Sequence, residues 1–237
     1  MRGCLFTVAF AGLVATLIVV VGLPAVAAGL LTAGVRAAGL QAADLTVSVT
    51  ADPPWDLLSL QADRVRVRAT AATFRGLQIG ALDVTFLGAS LVDRQSTSVA
   101  GRLTSVTAPN VAGQPLRLGV VTLSGGGSQL TATTSIAAAD AQALIAAEIA
   151  VVTGVSVPPS AVRLAPPDRV TVKDPVTATA TLSVDATGDL VANAPEIAPV
   201  TLLHAGEDVP IRFTAVKVDA QGNLLLTGTL TVGLLGG

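Results

Sequence analysis

The stretch Arg64-Val65-Arg66-Val67-Arg68-Ala69 alternates charged and apolar side chains with a period of two. That period is typical of a β-strand with one buried and one solvated face. Residues 77–81 and 82–86 follow and alternate in opposite phases on either side of Gly80. A change of phase beside a glycine indicates a bulge or bend, which lets a long strand curve. The two runs therefore predict long, curved antiparallel strands.

Further alternating segments extend this β pattern in both directions. Residues 45–49 alternate before Pro53-Pro54, and residues 55–58 then predict a turn or a one-turn helix. Residues 117–122 and 129–134 predict two strands joined by a hairpin at Gly125-Gly126-Gly127.

A seven-residue pattern occurs twice in the last third of the chain. Val184-Asp185-Ala186-Thr187-Gly188-Asp189-Leu190 recurs as Val218-Asp219-Ala220-Gln221-Gly222-Asn223-Leu224. In each copy the aspartate can begin a tight turn through hydrogen bonds from its side chain to the backbone. The glycine takes the position of positive φ. The copies predict two sequential hairpins of one antiparallel sheet.

Two segments have the spacing of helices. Residues 140–151 predict a helix that is capped by Thr134 or Ser135 and ended by Gly154. Its apolar face is expected to pack against a sheet and comprises Ala141, Leu144, Ile145, Ile149 and Val152. Residues 28–43 can also form a helix, with Leu30, Leu31, Val35 and Leu40 on roughly one face.

The chain carries no charge between Cys4 and Val35. Residues 5–23 are apolar and long enough to span a bilayer at about 1.5 Å per residue. Two interpretations stay open: a signal peptide that is cleaved after Ala25-Val26-Ala27, or an uncleaved membrane anchor. Both predict a leader over residues 1–27 and an extracytoplasmic, single β-rich domain over residues 28–237, either anchored or secreted.

The composition excludes several classes of function. With no tyrosine and one tryptophan, the chain lacks the aromatic faces on which bases and sugars stack. A net charge of -2 provides no cationic field for nucleic acid. The single cysteine, Cys4, leaves no disulfide, and the single histidine, His204, lies in a predicted turn. We therefore expect a protein without catalytic residues, cofactor, metal site or nucleic-acid partner.

The apolar strands and the apolar helix at 140–151 offer more apolar face than a small core requires. A curved sheet around a helix can leave a gap that holds acyl chains, whereas the alternative is an ordinary filled core. The expected lining of such a gap is Val65, Val67, Leu77, Ile79, Leu144, Ile145 and Ile149.

The row of Arg64, Arg66 and Arg68 is the most distinctive charged feature. On a strand the three guanidinium groups share one face, where they can bind the phosphate of a lipid head group. The alternative is a solvated outer face, which often carries charge as protection against aggregation.

Four segments combine into a larger pattern. They are the turn Asp52-Pro53-Pro54-Trp55-Asp56-Leu57-Leu58, the strand at 63–67, the strand at 74–84, and the glycine turn Leu87-Gly88-Ala89. Together with the helix at 138–149 and the last hairpins, they resemble the LmeA-type phospholipid-binding family of bacterial cell envelopes over about residues 45–232. The resemblance implies an α+β, mostly β fold of the tubular lipid-binding style, with a long curved antiparallel sheet rolled around one or two helices.

The resemblance also implies a function in the maintenance of envelope lipids. We expect the domain to bind phospholipid or another acyl-chain ligand, with or without transfer, and to meet the membrane through its N-terminal helix. The alternative is a non-catalytic structural or interaction domain of the envelope with a filled core.

Overall fold

The computed structural model describes residues 23–74, 76–90, 93, 95–111, 113–127, 129–173, 177–195, 198–206 and 209–231. None of the helices in these segments has the length and apolar character needed to cross a bilayer. The leader predicted over residues 1–27 lies mostly outside the described residues. Its predicted end falls inside a described helix, Leu23–Ala37.

The described chain is mostly β-strand with few helices. The helices are α1 (Leu23–Ala37) and α2 (Ala138–Thr153), and 3-10 helices occupy Pro54–Ser59 and Pro159–Ala161. The strands before α2 are β1 (Gln41–Thr50), β2 (Gln61–Phe74), β3 (Leu77–Ser90), β4 (Gln95–Val111), β5 (Gln114–Leu118), β6 (Val121–Gly126) and β7 (Gln129–Ile136). Those after it are β8 (Val162–Ala165), β9 (Arg169–Lys173), β10 (Thr177–Val184), β11 (Leu190–Asn193), β12 (Val200–Leu203), β13 (Arg212–Val218) and β14 (Leu224–Thr231).

The strands form two antiparallel sheets. The first has nine strands in the order β1-β2-β3-β4-β6-β7-β14-β13, with β5 also paired to β4. The second has five, in the order β12-β11-β10-β9-β8. Because β5 and β6 pair with β4 in one register, they are two halves of a strand that Gly119-Val120 interrupts. The strand predicted at 117–122 spans this interruption, while the strand at 129–134 and the hairpin before it are confirmed.

Four neighbouring strands change phase at the same level of the large sheet. One residue in each of these strands does not pair with its neighbour across the sheet: Ala43, Ala71, Gly80 and Ser105. They lie opposite one another in β1 to β4, and the residues on both sides of them pair in an unchanged register. We call these residues the central row. Ala71 and Ser105 have positive φ angles of 45° and 53°. The change of phase predicted beside Gly80 is confirmed, but it extends across four strands and so causes no shift of register.

The central row keeps one face of the sheet apolar. In each strand the inward-facing residues are three positions apart across the row, as with Ile79 and Leu82 in β3. Gly80 is required there, because a Cβ at this position would lie 2.7 Å from the Cβ of Ser105.

A second such row crosses β2, β3 and β4 nearer one end of the sheet. It consists of Asp63, Gly88 and Thr97, whose pairs are likewise omitted from ladders of constant register. Gly88 has a φ of 55°, and a Cβ on it would meet the hydroxyl of Thr97. The prediction of a glycine turn at Leu87-Gly88-Ala89 is therefore wrong: β3 continues through Gly88, and its alternation changes phase there.

Helix α2 packs against the second sheet, contacting β8 and β12, and also against β5. Ala141, Leu144 and Ile145 are buried and Ile149 is partly buried, but Val152 is exposed, contrary to prediction. The predicted caps at Thr134 and Ser135 are wrong, because both residues belong to β7. Instead, the backbone N–H of Ala138 donates to Oδ1 of Asn223 at 3.0 Å, while Gly154 ends the helix as predicted.

Both repeated sequences form the predicted tight hairpins, but the hairpins lie in different sheets. The first joins β10 to β11 in the five-stranded sheet, and the second joins β13 to β14 in the nine-stranded sheet. One cluster of buried side chains joins the two sheets and α2. The prediction of two hairpins in one sheet is wrong because strand periodicity does not specify the partner strand.

The aspartates that begin these turns accept several hydrogen bonds each. Asp185 accepts from the backbone and hydroxyl of Thr187 and from the backbone N–H groups of Gly188 and Asp189, at 2.7–2.9 Å. The hydroxyl of Thr187 is the largest cause that lowers the pKa of Asp185. In the second turn the side chain of Asn223 does most to lower the pKa of Asp219. Both carboxylates therefore favour the folded turns in their charged form.

We predict that Gly80→Ala destabilises the protein by about 1–3 kcal/mol, because the new methyl group overlaps Ser105. In a Ser105→Gly background most of this cost should disappear, since the overlapping atoms are gone. Urea unfolding of the single and double variants measures the coupling.

Gly29→Ala in α1 is the matched control, because its Cβ meets nothing within 4 Å. It should stabilise the helix by up to about 1 kcal/mol. An equal cost of Gly80→Ala with and without Ser105→Gly would contradict the packing of the central row.

Candidate functional site

A cavity of about 400 Å³ lies between α1 and the inner face of the nine-stranded sheet. Every lining residue is apolar or glycine. From α1 and the residues that follow it come Leu30, Leu31, Gly34, Val35, Ala38 and Leu40; from the sheet come Val67, Phe74, Leu77, Ile79, Leu82, Val84, Phe86, Leu103, Val106, Leu118, Val121, Leu123, Leu130 and Leu230; from the segment before β13 come Val209, Pro210 and Ile211.

The central row brings residues of opposite phase onto the wall of this cavity. Leu77 and Ile79 precede the row in β3, while Leu82, Val84 and Phe86 follow it, and all five line the same space. A regular strand would direct one of these groups to the other face of the sheet. The change of phase at Gly80 is therefore what makes the wall continuous.

Helix α1 forms the remaining wall and covers the cavity without sealing it. None of its residues is buried, and Leu30 is 69% exposed although it lines the cavity. At Gly34 an added Cβ would meet nothing within 4 Å, which shows how much space adjoins the helix there. An apolar cavity of this kind offers water no hydrogen-bond partners and favours apolar ligands.

The structure brings together some of the predicted lining residues and separates others. Val67, Leu77 and Ile79 line the cavity. Val65 does not: it packs in a separate buried cluster with Val49 and Leu57.

The three predicted lining residues of α2 also lie elsewhere. Leu144 and Ile145 are buried in the main core, and Ile149 packs against it. The expected gap beside this helix is corrected to a gap beside α1. The reason is that α2 contacts both sheets and buries Ala141, Leu144 and Ile145 between them, whereas α1 packs on β1 and the neighbouring 3-10 helix.

The residues that sequence reasoning missed were partly visible in the sequence. Helical spacing over residues 28–43 predicts one face formed by Leu30, Leu31, Val35 and Leu40. All four residues line the cavity, although α1 ends at Ala37 and Leu40 follows it. Leu103, Leu118 and Leu123 were not identified as lining residues, because their side of the cavity depends on the pairing of distant strands.

The predicted head-group residues lie on the opposite face of the sheet from the cavity. Val65 and Val67 of β2 face inward, so Arg64, Arg66 and Arg68 face outward. The three arginines therefore cannot reach a ligand held in the cavity. The outer charged face that was the alternative describes their position, and binding of a lipid phosphate on that face stays a prediction.

Asp83 holds two of the three arginines on that outer face. Arg66 donates from Nε to Oδ1 at 2.8 Å and from Nη2 to Oδ2 at 2.6 Å, and Nε of Arg68 donates to Oδ2 at 3.3 Å. The hydrogen bonds from Arg66 are the largest cause that lowers the pKa of Asp83 below its ordinary value. The pair is about two-fifths exposed, so solvent screens it.

His204 lies at the surface beyond β12. Its Nδ1 is 3.4 Å from Oδ2 of Asp189, whose other oxygen accepts from the backbone N–H of Ala205 at 2.8 Å. In the part of the chain that is described, no group of three histidine, cysteine or acidic residues is arranged to hold a metal ion.

Comparison with models of known families, with curated proteins and with solved structures finds no match for this chain. The resemblance to the LmeA-type family therefore stays a prediction. The cavity, the enclosing helix and the separate charged face define the candidate site on their own.

We predict that Asp83→Asn lowers stability by up to about 1 kcal/mol at neutral pH, because Arg66 and Arg68 lose their shared carboxylate. Since the folded state lowers the pKa of Asp83, its contribution is complete well above the ordinary value of 3.8. It is lost as the pH falls through the lower folded pKa.

Urea unfolding of wild type and variant at a series of pH values measures this difference. The two stabilities should converge at acidic pH, and also at high salt, where the exposed pair is screened. A constant difference across the series would contradict the assignment.

Proposed function

We propose that the protein binds the acyl chain of a lipid in the cavity between α1 and the nine-stranded sheet. The observation that carries this proposal is the all-apolar lining of a partly covered space of about 400 Å³. Ligand cavities commonly measure about 300–1,000 Å³, so this space suits one chain better than two. Binding, rather than catalysis, is the proposed activity.

The same lining argues that the polar head of the lipid stays outside the cavity. A buried head group would find no hydrogen-bond partner among the lining side chains, which costs roughly 2–7 kcal/mol per polar group. Selection would then act on the length of the chain and little on the head group. The envelope phospholipid implied by the resemblance is one lipid that fits this rule.

The proposed location is the extracytoplasmic side of a membrane. Its support is the uncharged sequence from Cys4 to Val35, which suits a signal peptide or an anchor. The proposed architecture is a curved sheet that encloses a lipid chain beside a helix. It is supported by the change of phase at the central row and by the position of the cavity.

Fatty acids of increasing length should bind with affinities that rise about fourfold per methylene group until the cavity is full, since burying each group contributes about 0.8 kcal/mol. Palmitate and lysophospholipid with the same chain should bind alike, because the head stays in solvent. Displacement of a fluorescent fatty acid measures both. Absence of any binding would contradict the proposal.

Gly34→Leu provides the matching variant, because its side chain would enter the cavity from α1. It should lower acyl-chain affinity at least about tenfold while leaving the fold intact, since leucine has the higher helix propensity. Gly29→Leu in the same helix is the control, because Gly29 does not line the cavity. Equal binding by the two variants would count against this site.

A further inference from the structure

One end of the nine-stranded sheet carries a group of exposed apolar side chains. Trp55 and Leu58 of the 3-10 helix are 61% and 68% exposed, and Leu60, which follows it, is 46% exposed. Trp55 and Leu58 are three residues apart and so lie on the same side of a 3-10 helix. We call Trp55, Leu58 and Leu60 the end patch.

The backbone of the end patch is strained at Leu60. Leu60 caps the 3-10 helix with a φ of 58° and a ψ of 33°, in the left-handed region. Glycine or asparagine adopts this conformation with little strain, whereas leucine does not. Neither core packing nor the cap explains an exposed leucine in this place, and such strain is typical of functional positions.

The position of α1 relates the end patch to the apolar N-terminal sequence. Leu23 and Ala27, in the first turns of α1, pack with Leu57 of the 3-10 helix in one buried cluster. The uncharged residues 5–22 directly precede Leu23 in the sequence. A segment with the composition of a membrane anchor is therefore continuous with the helix that packs on the 3-10 helix of the end patch.

The charges around the end patch are acidic. Asp56 lies in the 3-10 helix between Trp55 and Leu58, and the backbone N–H of Asp52 donates to Oδ2 of Asp63 at 2.6 Å. Arg64 lies in β2 on the outer face of the sheet, whereas Leu57 packs the 3-10 helix against the inner face. Burial of apolar side chains, and not charge, is therefore what the end patch offers to a bilayer.

We propose that the end patch docks onto a phospholipid bilayer, with Trp55, Leu58 and Leu60 entering the interface. Tryptophan is the side chain most typical of membrane interfaces, because its ring is apolar and its N–H is polar. This inference rests on the proposed function only in that docking delivers the cavity to its lipid source. The two are tested by different measurements.

Trp55 is the only tryptophan of the chain, so its fluorescence reports on the patch alone. The full-length chain is reconstituted into vesicles of phosphatidylcholine and phosphatidylglycerol whose chains are brominated near the head group. Docking predicts a blue-shifted emission and strong quenching by bromine. An emission that is unchanged from that of exposed tryptophan would overturn the proposal.

Leu58→Ser and Leu60→Gly should each lower the docking equilibrium by about tenfold, since each removes an apolar side chain from the interface. Leu60→Gly should also keep or raise the melting temperature, because glycine relieves the left-handed backbone. This combination of weaker quenching with undiminished stability is not expected of a purely structural residue. Weaker quenching only in proportion to lost stability would overturn the proposal.

Val151→Ser at the end of α2 is the control, because Val151 is 71% exposed but lies far along the chain from the patch. Bromine quenching of Trp55 in this variant should equal that of wild type. A blue shift that grows with protein concentration without vesicles would instead assign the patch to a second copy of the chain and overturn the proposal.

Failure of docking and failure of acyl-chain binding are distinguishable. Patch variants should leave fatty-acid binding in solution unchanged, whereas Gly34→Leu should weaken that binding at least about tenfold and leave Trp55 quenching unchanged. Loss of both properties in every variant would indicate unfolding, and circular dichroism of the same samples detects it. A patch variant that stays folded and loses fatty-acid binding would overturn the separation of the two sites.

Discussion

The structure depends on keeping one apolar face continuous along strands that are unusually long. β4 alone has 17 residues, whereas strands of globular proteins commonly have about five or six. The large sheet meets this constraint by placing an irregular residue at the same level in each neighbouring strand. Because all four strands change phase together, their hydrogen-bonding register is preserved. Gly80 in β3 permits the close approach that the central row requires.

The two helices use this sheet in different ways. Helix α2 packs between the second sheet and β5. The side chain of Asn223 in the last hairpin accepts a hydrogen bond from its first turn. Helix α1 contacts β1 and the 3-10 helix, and none of its residues is buried. The protein therefore has a closed core at one helix and an open apolar space at the other. A filled core and an open apolar cavity, which are alternatives at the level of sequence, are present in different parts of one fold.

Local features of this fold could be predicted from the sequence, but the partners of each element could not. The turns, the strand at 64–69 and the helix at 140–151 follow from short-range periodicity and turn chemistry. β4 was missed, because its serine, threonine, glycine and alanine residues give little hydrophobic contrast. The choice of strand partners sets which helix adjoins the cavity, and no local pattern encodes it.

Helix α1 is the element on which the two proposed activities meet. Its first turns pack with the 3-10 helix of the end patch, and its later turns cover the apolar cavity. The side chains of the cavity wall are all apolar and cannot recognise a head group. The cavity would therefore bind an acyl chain without distinguishing one head group from another. The choice of lipid would therefore depend on which membrane the protein meets. Docking of the end patch would select the membrane from which the lipid comes. The cavity itself has no means to make that selection.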